Sequence, residues 1–151
     1  MNKTITAIPE LDNSLTFIMS LAQKQYRAIC TQKLQQEFDI TLEMVGAMKV
    51  LKHLGCIPQQ QLADVLKRDR SVTKRLVDNC IKRGLIRAGR SASNRKARML
   101  SLTEEGERVN LACTPLLKQV QDGFFEGVSE QERRLLRGIL EKLVRDDVRT
   151  Q

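Results

Sequence analysis

Residues 68–88 read RDRSVTKRLVDNCIKRGLIRA, and the spacing of their apolar side chains decides how the rest of the chain is read. Val72, Leu76, Val77, Cys80 and Ile81 recur at the helical period, which turns one face of a helix inward, and Gly84 ends the pattern. Just upstream, Leu62, Ala63 and Leu66 form a shorter stripe, set apart by the polar break Lys67-Arg68-Asp69-Arg70. Two short helices with a tight break between them outline a helix-turn-helix. Downstream, residues 85–88 and 97–102 are short apolar runs separated by GRSASNRKAR (89–98), a stretch with four cations and no acid. This spacing predicts a two-stranded hairpin with a long polar tip.

The charge follows the same segment. The chain carries a net +8. Residues 68–98 hold eleven bases against two acids, Asp69 and Asp78, so that segment alone is +9 and the other residues sum to about −1. A charge spread for solubility would be even, whereas a concentrated one points to a polyanionic partner.

Outward from this module the pattern is helical. Apolar residues at 11, 15, 18, 21, 22, 29, 34 and 38, with no Gly or Pro after Pro9, predict one long helix or two in line. Thr41 caps a further helix with Met44, Val45, Met48, Leu51 and Leu54 on its apolar side, Gly55 stops it, and Cys56-Ile57-Pro58 reads as a turn. Thr103, followed by Glu104 and Glu105, opens another helix running through Val109, Leu116, Val120 and Phe124, with Pro115 a candidate kink. Ser129 and Glu132 make a capping box for a last helix bearing Leu135, Leu136, Ile139, Leu140, Leu143 and Val144. So broad an apolar stripe needs cover, and a second copy of the chain is the expected source. The 151 residues read as one domain, and aromatics at 3% leave a core of aliphatic side chains and Met, which favours helices. The fold class is therefore mainly α with a small β-hairpin.

On a helical wheel, the apolar stripe of the second short helix leaves Arg70, Ser71, Thr73, Lys74, Arg75, Asp78, Asn79 and Lys82 toward solvent. Such a helix can enter a major groove of double-stranded DNA. Ser71 and Thr73 are short enough for close approach, Arg75 reaches guanine edges or phosphate, and Lys74 offers a point charge to phosphate. Beside it the hairpin tip, with Arg90, Asn94, Arg95 and Lys96, would fall on the adjacent minor groove, whose negative potential draws inserted arginine.

The order QLADVL, RDRSVTKRLVDNCIKRGLIRA and RSASNRKARMLSLTEEG resembles the winged helix-turn-helix of MarR-type transcriptional regulators across residues 61–106. LTEEG directly after the wing strand is the most specific part. The resemblance implies a winged helix-turn-helix at about 41–103, flanked by dimerisation helices at about 10–38 and 104–149. It also implies a homodimer on a pseudo-palindromic operator, repressing or activating genes and released by a small, commonly aromatic, effector or by cysteine oxidation, with repression the leading expectation. Carried over by position, Ser71, Lys74 and Arg75 match the family's reading-helix contacts and Arg95 its minor-groove arginine. Two positions depart from the pattern: Asn94 stands where the wing usually has an acid that orients that arginine, and Ile81 where a Glu is common.

Other chemistry has little to stand on. The start MNKTITAIPELDNS lacks the order of a secretory signal and no apolar run is long enough to span a membrane, so a cytoplasmic chain is expected. The four cysteines form no CxxC pair and read as small buried hydrophobes, with Cys30 and Cys56 the candidates for redox chemistry. One histidine, His53, read as a partly buried helix residue, leaves no metal site, and no cofactor is expected. Met19, Met44, Met48 and Phe17 read as core, or as the lining of an adaptable effector pocket. With no glycine-rich phosphate loop and no GxSxG element, an enzyme is not expected. The competing class is a winged-helix protein-interaction module that docks an acidic partner without an operator.

Overall fold

Four of the helices begin where a short hydroxyl side chain takes up a free backbone N–H. Ser14 accepts from Phe17 N, Thr41 from Met44 N, Thr103 from Gly106 N and Ser129 from Glu132 N, and Glu132 returns a bond to Ser129 N to close the capping box. The computed structural model describes residues 3–93 and 96–151; Asn94 and Arg95, named above as wing residues, lie outside them. In chain order the elements are α1 (Pro9–Asp12), α2 (Leu15–Phe38), α3 (Leu42–Leu54), β1 (Ile57–Pro58), α4 (Gln59–Leu66) and α5 (Arg70–Lys82). Then follow β2 (Ile86–Arg90), β3 (Arg98–Leu102), α6 (Glu104–Phe124) and α7 (Glu130–Leu143).

The core lies where α3, α4 and α5 meet the sheet and the first half of α6. Met48, Leu51, Leu62, Val77, Cys80, Leu85, Ile86 and Leu100 are essentially inaccessible, and Cys30 and Leu34 of α2 are likewise buried. Interiors packed this way feel single methylene changes, so a truncation such as Leu100→Ala costs about 2–5 kcal/mol.

Of the two readings of the N-terminal stretch, two helices rather than one holds, because Ser14 leaves helical geometry to cap α2. Several expectations change. Cys56-Ile57-Pro58 is not merely a turn: Ile57 and Pro58 pair antiparallel with Leu100 and Met99, so the expected two-stranded hairpin is a three-stranded sheet in the order β1-β3-β2. His53 is exposed, since it sits in the last turn of α3, and Met19 is exposed as well, whereas Met44 and Met48 are core. Helix α6 runs through Pro115 without ending.

The LTEEG motif has a physical basis. The Thr103 hydroxyl donates to Gly84 O at 2.5 Å and Thr103 N donates to Leu85 O at 3.1 Å, which seats the start of α6 on the start of the hairpin. A Cβ built on Gly106 would lie 2.1 Å from Leu85 O, so only glycine allows this approach.

Helix α7 contrasts with the other helices longer than one turn. None of its residues is buried, and Leu135, Ile139 and Leu143 expose more than half their surface. Among the described residues, no helix is long and apolar enough to cross a membrane.

Candidate nucleic-acid interface

Helix α4 ends at Lys67, whose φ of 51° turns the chain left-handed and launches α5 three residues later. Thr73, Leu76, Val77 and Cys80 face inward from α5. Arg70, Ser71, Lys74, Arg75, Asn79 and Lys82 are exposed, and Asp78 is half-buried.

Thr73 is a correction. The wheel put it toward solvent with Ser71, but it is fully buried and its hydroxyl donates to Asp69 O at 2.9 Å. A hydroxyl bonded one turn back leaves no unpaired group to expose, so threonine fills a core position at no hydrogen-bond cost.

The exposed face is held by a polar frame. Arg70 Nε donates to Gln60 Oε1 at 2.7 Å, tying the start of α5 to the first turn of α4. Arg98 at the start of β3 donates to Gln59 Oε1 at 3.1 Å and pairs with Asp78 at 2.9 Å, while Lys74 pairs with the other Asp78 oxygen at 2.8 Å. Hydrogen bonds from Lys74, then from Arg98, hold the Asp78 carboxyl below the usual carboxylate range. The one acid on the face of α5 is therefore ionised and neutralised by its neighbours, and the face presents net positive charge.

The wing begins with a conflict that this frame resolves. Arg90 and Arg98 are cross-strand partners at the open end of the β2–β3 ladder. Like charges directly opposite destabilise a ladder, and drawing Arg98 onto Asp78 relieves that. Arg90 and Lys96 are exposed, and Lys96, Arg70 and Arg98 share a cavity of about 240 Å³ with Gln59 and Gln60. Gln59, Gln60 and the bracing role of Arg98 escaped the sequence reading; the signal available was amide side chains in the first turn of a helix facing a basic partner.

The cysteines separate cleanly. Cys56 is exposed, whereas Cys30, Cys80 and Cys113 are buried. Burial pushes the Cys80 thiol up to about 12 and raises that of Cys113. Burial, with a hydrogen bond to Cys30, likewise pushes the Tyr26 phenol up to about 12. Cys30 thus lacks the open surroundings expected of a redox candidate. Among the described residues no group of three or more His, Cys, Asp or Glu could hold a metal ion.

No protein-family model matches the chain. Against solved structures it superposes on a probable transcriptional regulator from Pseudomonas aeruginosa with a TM-score of 0.83 and 26% identity, covering 89% of this chain and 99% of that one. It superposes on a mutant MarR from E. coli complexed with operator DNA with a TM-score of 0.81 and 18% identity, covering 91% and 95%. The chain has the MarR fold. In sequence it is 23% identical over 134 residues to the HTH-type transcriptional regulator BilQ of Clostridium symbiosum, spanning 88% of this chain and 92% of BilQ. Within the MarR fold, α4 and α5 form the helix-turn-helix and β2–β3 the wing. These relatives are named as regulators of transcription, not as enzymes.

Proposed function

We propose that the chain is a homodimeric transcriptional regulator that binds a pseudo-palindromic operator in double-stranded DNA, acting as a repressor released by a small molecule or by cysteine oxidation. One observation carries this reading: α5 exposes Ser71, Lys74, Arg75 and Asn79 on one face whose sole acid is already paired, beside exposed wing cations. In this reading Arg70, Ser71, Lys74, Arg75 and Asn79 contact the major groove, and Arg90 and Lys96 grip the backbone at the wing. Arg95 takes the minor-groove position and Asn94 the place of its usual orienting acid, by sequence position alone. The helices within 10–38 and 104–149 form the dimer, and residues 41–103 the reading lobe. The exposed apolar face of α7 supports a second copy as its cover.

Two features support release. Cys56 is exposed and open to oxidation. A groove of about 490 Å³ between α2, α3 and α6, lined by Tyr26, Lys49, Thr114 and Leu117 among others, offers an ammonium for an aromatic carboxylate. In this reading the chain acts in the cytoplasm.

The test is recovery of genomic fragments by the purified chain, followed by footprinting. A retained subset with half-sites about 34 Å apart, one helical turn, is expected. Retention of no fragment, or of all fragments alike, overturns the reading. Peroxide should release the operator from the wild type but not from Cys56→Ser; equal release from both rules out that thiol as the switch.

A further inference from the structure

Beyond α7 the chain returns to the reading head. The Thr150 N–H donates to Lys67 O at 2.7 Å and the Thr150 hydroxyl to the same oxygen at 3.1 Å, while Asp69 N–H donates to Thr150 O at 3.2 Å. Arg68 and Thr150 thereby form a parallel β-bridge. Arg149 lays its guanidinium on the last turn of α4, donating to Ala63 O at 3.2 Å and Asp64 O at 3.4 Å and pairing with the Asp64 carboxylate at 3.2 Å. Lys67 Nζ pairs with Asp146 at 2.5 Å.

The tail takes up Lys67 O and the Asp69 N–H. Ala63 O and Asp64 O already accept from Arg68 N and Lys67 N, and they carry the negative end of the α4 dipole, so a guanidinium there is favoured. Lys67 holds a left-handed conformation that a lysine rarely adopts, and here its carbonyl is fixed twice by Thr150. Asp69, the N-cap of α5, makes no side-chain cap, and its own N–H is taken up by the tail. The backbone of residues 67–69 sets the angle at which α5 leaves α4.

We propose that residues 146–150 form a brace that fixes the α4–α5 turn, so that the reading helix is aimed by the segment that continues α7. Arg149 and Thr150 are then positioning residues: they touch no nucleic acid and act through the turn. The coupling runs both ways, because a shift of α7 pulls on the turn and a shift of α5 is felt at the apolar helix. The role in DNA reading rests on the function proposed above; the bracing of the turn does not.

Four proteins are compared with the full chain: one ending after Arg145, the double variant Arg149→Ala, Thr150→Ala, which retains the Thr150 backbone groups, the single variant Arg149→Asp, and the swap Asp64→Arg, Arg149→Asp. Hydrogen exchange is followed at the Asp69 amide, and binding is titrated on the recovered operator and on scrambled DNA at one salt concentration. In the shortened chain Asp69 exchange should accelerate about tenfold or more, and operator affinity should fall about tenfold while scrambled DNA changes by less than about twofold. The double variant should show a smaller change in the same direction, and the charge swap Asp64→Arg, Arg149→Asp should recover part of the loss from Arg149→Asp alone. Unchanged exchange at Asp69, or equal losses on both DNAs, overturns the brace. A full chain that retains no DNA overturns the DNA-binding reading instead, and the Asp69 comparison still decides whether the tail holds the turn.

Discussion

Arg98 on β3 and Asp78 on α5 join the wing to the reading helix, with Nη1 and Oδ1 2.9 Å apart, and the same carboxylate restrains Lys74. Its lowered pKa gives the sign of the pH dependence: the pairing is present at neutral pH and is lost as the pH falls through that depressed value, below the ordinary aspartate range. At neutral pH, Asp78→Asn should weaken operator binding about three- to tenfold while tightening binding to scrambled DNA, because a negative charge leaves the face and two cations are freed. Fluorescence anisotropy on both sequences checks this. A parallel change on the two would mean that the pair adds charge balance and no orientation.

Arg75 and Lys96 should separate by readout. Arg75→Ala is expected to cost about 1–3 kcal/mol on the operator and to relax base preference at one position. Lys96→Ala should weaken all sequences alike and reduce the salt slope by about 1. Binding isotherms across a salt series distinguish them, and equal losses on operator and scrambled DNA for Arg75→Ala would remove its reading role.

Two glycines should respond in opposite directions to alanine. Gly106→Ala drives a methyl against Leu85 O and should destabilise by about 2 kcal/mol or more. Gly138 lies inside α7 with nothing near its missing Cβ, so Gly138→Ala should stabilise by about 0.5–1 kcal/mol. Denaturant melts of both variants measure the difference; a neutral Gly106→Ala would mean that α6 can move off the hairpin.

Thiol titration of the native protein should find one reactive group, Cys56, and four after denaturation. Mass spectrometry of the alkylated native protein assigns the site. Ready labelling of Cys30 would show that α2 opens on the labelling timescale.

The dimer proposal turns on α7. Ile139→Lys puts a charge at the centre of its exposed apolar face and should shift the protein from dimer to monomer by analytical ultracentrifugation, with operator binding lost in step. An unchanged sedimentation profile would move the interface elsewhere.

Periodicity and caps made the helices legible. Thr41, Thr103 and Ser129 cap where a short hydroxyl precedes an apolar stripe, and the α4–α5 pair follows from two stripes with a polar break. Strand β1 was illegible because two residues, one a proline, carry no period, and only their register opposite Leu100 and Met99 makes them a strand. Thr73 misled for a different reason: a wheel scores its hydroxyl as polar, while the fold satisfies that hydroxyl locally and buries it. The basic face of the candidate site was readable from charge density. The frame behind it was not, because Gln59, Asp78 and Arg98 come from three elements whose distances no sequence spacing encodes.

Because β1 is stitched to β3 at Ile57 and Leu100, and β3 continues outward to Arg98, the basic hairpin is a lever whose fulcrum sits in the hydrophobic interior. Repacking at the α3–α4 junction would shift β3 and Arg98 with it, so substitutions there are a route by which evolution retunes the basic face without altering a single charged side chain.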